Sequence, residues 1–193
     1  MMTRGARVAS VLCAAALMAC GEGSTQNKNS AASTQAAAPL TQVELGYTVG
    51  RHFAYACALA LFGQEAEAAS SYELAGTAAA MLGVVLPEAP KREDALLKLR
   101  DRTLFDAIQR TAGADPAWAF ALAMTTTDAS IGISIETNAS KQLANVGVIA
   151  GKLAIPETEW RSQLDAAIKT PTKQNGDALA AAFDAHYRFS GRK

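Results

Sequence analysis

From Thr41 onward, apolar and small residues recur at three- and four-residue steps, the period of a helix with one face against a core. Val43, Gly46, Tyr47, Gly50, Ala54, Cys57 and Leu61 fall on one such face. Thr41 with Glu44 three residues later forms a capping box before this run, and Gly63 stops it after Phe62. The spacing predicts a second helix over 64–82, closed by Gly83, and Pro87 and Pro90 mark the next boundary. A third helix is predicted over 92–111, with Leu96, Leu99, Leu104 and Ile108 as its buried side. Asp115 then Pro116 reads as an N-cap followed by a proline at the first helical position, opening a segment through Trp118, Leu122 and Met124.

Residues 125–137 carry two signals. Thr125 to Thr127 and Ile131 to Ile135 are rich in β-branched side chains, the latter alternating with period two, which favours a strand. A single strand with no evident pairing partner is not stable, so the stretch is expected to be part of a helix–loop–helix. Leu143, Val146, Ile149 and Leu153 follow as a helix ended by Pro156, and 158–168 and 177–189 complete the pattern. The expected fold is an all-α bundle of about six or seven helices, built on residues 40–193.

The segment before this domain is different in kind. Arg4 and Arg7 precede an apolar run, Val8 to Ala19, that is shorter than the roughly 20 residues needed to span a bilayer. A basic region followed by a short apolar one is the pattern of a signal peptide, here 1–19. Leu17, Met18 and Ala19 lead directly into Cys20 and resemble the lipobox of bacterial lipoproteins. That resemblance implies cleavage before Cys20 and lipidation of its thiol, with acyl chains anchoring the protein to a membrane without a spanning helix. Met18 is a less usual occupant of its place. Gly21, rather than Asp, after the cysteine resembles an outer-membrane address under the enteric sorting rule. Residues 20–39 are polar and small without apolar periodicity, so they read as a tether between lipid and domain.

Lipidation and cleavage would leave Cys57 as the one remaining thiol, so the domain needs to be stable without a disulfide. Its neighbours Tyr55, Ala56, Ala58 and Leu59 are apolar or small, which predicts a buried structural cysteine rather than a nucleophile. The chain of 193 residues carries 18 basic and 18 acidic side chains with no long basic run, which argues against nucleic acid as a partner. His52 and His186 are the only histidines and neither stands in metal-ligand spacing. No nucleophile elbow or phosphate loop is present, so no catalytic residue, metal or cofactor is expected.

The residues that contradict their surroundings are Thr48, Arg51, His52 and Tyr55, a polar stripe on a small and apolar helix. With Tyr72 from the next helix they are the candidates for contact with a ligand or partner. Arg51 would supply a fixed positive charge and His52 a pH-responsive donor; the alternative use is a hydrogen-bonded seam between helices. Gly63, Ala68, Tyr72 and Ala75 resemble the small and aromatic positions of a tetratricopeptide repeat, which implies a packed helical hairpin. His52, Tyr55, Ala56 and Ala80 depart from that pattern, and the likeness covers one copy where arrays need about three.

A shift of 69 residues also lays Gly63 on Gly132, Leu74 on Leu143 and Pro87 on Pro156. If this records two related hairpins, both glycines should lie at turns, both prolines should directly follow helices, and a groove should lie between the hairpins. The function these readings converge on is a lipid-anchored envelope adaptor that binds another envelope protein through a helical surface. The alternative is a lipoprotein holding a small ligand near Arg51, His52 and Tyr72.

Overall fold

The computed structural model describes residues 38–137 and 139–189. The signal segment, the lipobox with Cys20, and the tether up to Ala37 lie outside the described residues. Eight helices and no strand occupy the described part: α1 (Gln42–Leu61), α2 (Glu65–Met81), α3 (Ala95–Arg100), α4 (Thr103–Ala112), α5 (Ala114–Ser134), α6 (Ser140–Lys152), α7 (Glu157–Lys169) and α8 (Lys173–His186). The fold is all-α, and no described helix is long and apolar enough to cross a membrane.

α1 begins as its capping box requires. The Glu44 amide donates to Thr41 Oγ1 at 3.2 Å, and the Thr41 amide donates to the Glu44 carboxylate at 2.7 Å. At its far end Gly63 adopts φ 75°, and the Gln64 amide closes the turn on the Leu59 carbonyl. α1 and α2 then pair as a hairpin, with Ala68 and Ala75 buried.

α1 and α5 form the centre of the domain, and both are buried on most of their circumference. Two glycines set how closely they meet. A Cβ on Gly50 would lie 2.5 Å from the Phe120 carbonyl oxygen, and one on Gly46 would meet the Pro116 carbonyl oxygen closer still. One core fills the space between α1, α2, α3 and α4 around Phe53, Leu99 and Ile108. The second joins α5 to α6, α7 and α8 around Leu122, Trp160 and Phe183.

The structure departs from the sequence pattern at four places. The helix expected over 92–111 is two, because Asp101 takes an extended conformation and its carboxylate accepts from both the amide and the hydroxyl of Thr103. A short acidic side chain here offers the backbone an alternative to helical bonding. α5 starts at Ala114 rather than after Asp115, so Pro116 is its third residue, where a missing N–H still costs no intrahelical bond.

Third, α5 runs without interruption through the threonines to Ser134, and the loop is confined to its end. The hydroxyls of Thr126 and Thr127 donate to the carbonyls of Leu122 and Ala123, which satisfies them inside the helix. Fourth, the 69-residue shift does not carry turn onto turn. Gly63 sits at a turn, but Gly132 is inside α5. The left-handed residue after α5 is Glu136 and that after α6 is Ala154, respectively 73 and 71 residues from their counterparts Gly63 and Gly83. Pro156 caps α7 while Pro87 lies in a loop well beyond Met81.

Candidate functional site

The polar stripe on α1 faces inward. Arg51 donates from Nε and Nη2 to the two carboxylate oxygens of Asp184 on α8, at 2.8 and 3.0 Å, and from Nη1 to Thr127 on α5 at 3.0 Å. Its guanidinium carbon lies 4.3 Å from the Tyr55 ring centre, and Tyr47 donates its hydroxyl to Asp184 at 2.9 Å. Burial works against the Arg51 charge, but the Asp184 bonds outweigh it and hold the group above its ordinary pKa. Burial, reinforced by Asp184, pushes the Tyr47 phenol well up.

The remaining sequence candidates take different positions. Thr48 bonds back to the Glu44 carbonyl at 2.7 Å, a local contact within the helix. His52 is buried, its ring 4.9 Å from that of Phe189, which also lies 6.4 Å from Tyr55. Tyr72 is held at a separate place, with its ring 6.4 Å from Phe53 and its hydroxyl donating to the Pro87 carbonyl at 2.6 Å. Arg51, His52 and Tyr55 therefore converge on the seam between α1 and α8, and Tyr72 serves the one between α2 and the following loop.

Residues 184–189 strap that seam. Tyr187 stacks on Tyr47 with ring centres 4.4 Å apart, and Arg188 pairs with both oxygens of Glu44. The Arg188 hydrogen bond is the main reason the Glu44 carboxyl is lowered to about 2. Cys57 is a free thiol buried at the α1 face, and loss of solvent pushes it up to about 12. Among the described residues no group of three His, Cys, Asp or Glu side chains converges on a point.

Open space with chemistry around it lies elsewhere, in a groove of about 640 Å³ between the α3–α4 corner, α5 and α6. Its floor is apolar: Phe120 and Met124 from α5, Ile149 from α6, and Phe105 set edge-on to Trp118 with ring centres 5.0 Å apart. Cations surround it. Lys152 rests its ammonium 4.1 Å from the centre of the Trp118 ring, while Lys141 and Arg102 are exposed and have no ion-pair partner among the described residues.

Arg100, the fourth, holds Asp128 through two bonds of 3.0 Å. Asp128 is thereby ion-paired inside the wall, and its hydrogen bond is what raises Arg100. Asp101, the other carboxylate, is occupied by Thr103, whose amide bond lowers it. The side-chain oxygen of Gln142 is buried beside this groove with no hydrogen-bond partner among the described residues. Val148 stands 60% exposed on the rim.

Sequence reasoning passed over this groove, although two signals in the chain outline it. Trp118, Ala121, Thr125 and Asp128 follow one another at helical steps along α5, and Lys141, Asn145, Val148 and Lys152 do so along α6. A smaller recess of about 410 Å³ lies between the start of α2 and the loop at Ala89–Glu93, with four alanines in its wall and Glu65, Lys91, Arg92 and Glu93 around it in balanced charge. The chain matches no family model, no curated protein and no solved structure, so the functional reading rests on its own geometry.

Proposed function

We propose that this is a lipid-anchored envelope protein whose helical domain acts as an adaptor, holding a second envelope protein in the groove between the α3–α4 corner, α5 and α6. The observation that carries the reading is the groove itself: an aromatic floor ringed by cations on a rigid helical frame. Such a surface combines apolar area for affinity with charges that orient the partner. Lipid on Cys20 would anchor it to a membrane, Gly21 would direct it to the outer one, and the 20–39 tether would give it reach and a high local concentration there. The polar seam around Arg51 is fully engaged within the domain, so the contact surface is assigned to the groove instead.

A photo-crosslinking amino acid at Val148, in the lipidated protein in its native envelope, tests this. A discrete adduct with one protein is expected from Val148 and not from Arg161, which is exposed on α7. Equal adducts from both positions would refute the assignment. In the same experiment Cys20→Ala should abolish incorporation of a fatty-acid label and reduce the adduct. Label retained on that variant would remove the anchor.

A further inference from the structure

Which chemistry the groove selects follows from what it leaves unmatched. Arg102 and Lys141 have no carboxylate opposite them among the described residues, and Lys152 is held against Trp118 rather than against an acid. The chain as a whole is balanced at 18 basic and 18 acidic groups, so the excess of cations around this groove is a local feature. Beside them runs the apolar floor of Phe105, Trp118, Phe120 and Met124.

Resting on the adaptor reading above, we propose that the segment received by the groove is an acidic peptide carrying an aliphatic or aromatic anchor residue. Each unmatched feature then has a complement. Carboxylates of the peptide face Arg102, Lys141 and Lys152, and the anchor lies over Trp118 and Val148. A fatty acid offers one carboxylate where the groove presents Arg102, Lys141 and Lys152. A peptide supplies separated charges and apolar area together, and the exposure of Val148 and Lys141 suits a macromolecule better than an enclosed small ligand.

The test measures binding to the full-length protein held in nanodiscs of zwitterionic lipid. The probe is a fluorescent synthetic peptide in which Glu residues flank a Leu-Phe pair. One control carries Gln for every Glu, a second carries Ala for the Leu-Phe pair, and laurate is the competing small amphiphile. The Glu peptide should bind about tenfold more tightly than either control, with the preference falling as salt rises. Arg102→Gln with Lys141→Gln should weaken the Glu peptide about tenfold and leave the Gln peptide unchanged, whereas Lys169→Gln on exposed α7 should change neither. Circular dichroism of each variant confirms that the helices persist.

Equal binding of Glu and Gln peptides, no binding at all, insensitivity to the double substitution, or binding of laurate alone would each overturn the proposal. A Val148 adduct that survives such a result removes the acidic peptide and keeps the adaptor. Loss of both removes both.

Discussion

Arg51→Met removes the guanidinium that joins α1, α5 and α8 while keeping the length of the side chain. It deletes two charged hydrogen bonds to Asp184, one bond to Thr127 and the contact with the Tyr55 ring. Breaking one side of a buried pair costs about 3–5 kcal/mol, because the surviving charge stays away from water without compensation. Asp184 keeps 20% of its side chain exposed and retains the Tyr47 hydroxyl, so the loss should fall at the lower end, about 3 kcal/mol. Asp184→Ala should cost more, about 4 kcal/mol, because it strands a guanidinium whose side chain is only 5% exposed.

A triple variant, Arg51→Met with Asp184→Leu and Tyr47→Phe, removes the ion pair and the phenol together, leaves Thr127 bonded to the Ala123 carbonyl, and should be more stable than either single one. The assay is urea unfolding of each purified variant followed by circular dichroism, compared at constant slope. A loss under about 1 kcal/mol for Arg51→Met would show that the seam is hydrated and the pair unimportant. A triple variant as unstable as the sum of its parts would show that the polar seam is itself a net source of stability, which contradicts the reasoning.

The Cys57 thiol, pushed from 9.0 to about 12, should have roughly a thousandfold less thiolate at neutral pH than an unperturbed one. Reaction with a disulfide reagent is expected to be slow in the folded protein and complete in denaturant, and rapid native labelling would show an exposed thiol. Glu44 gives a pH dependence of definite sign. Its folded pKa lies below its ordinary 4.5, so its contribution is complete above about 4.5 and is lost as pH falls towards 2. Arg188→Gln should flatten that acid limb in urea midpoints measured against pH, modestly because Arg188 is solvated, and an unchanged profile would dismiss the pair.

Local signals in the chain were readable wherever a short stretch decides the outcome. Thr41 and Glu44 cap α1, Gly63 turns the chain, and Cys57 is buried, all as the sequence implies. Helix boundaries depart from the sequence pattern where tertiary burial or a single side chain overrides periodicity. α5 is buried nearly all round, so its β-branched residues need no single apolar face, and the period-two alternation at Ile131 to Ile135 has no structural counterpart. At Asp101 one carboxylate, by accepting from Thr103, splits a pattern that is continuous on paper.

The groove was hidden for a different reason. Arg51 attracted notice as a charge among small residues, yet a charge inside a core helix must be matched from within the fold, and Asp184, far along the chain, matches it. Lys141, Asn145 and Lys152 attracted none, because polar residues at helical steps are what any solvated face displays. What separates them from an ordinary face is their company: Trp118 beneath Lys152, Phe105 against Trp118, Met124 in the floor, and Gln142 with an unmatched oxygen. Those neighbours come from three separate stretches of chain, brought together because α5 packs against both α4 and α6. The short loop over 101–102 adds to this, since the break at Asp101 places Arg102 at the groove wall. The irregularity that defeated the helix pattern and the cation that completes the groove are thus consequences of the same carboxylate.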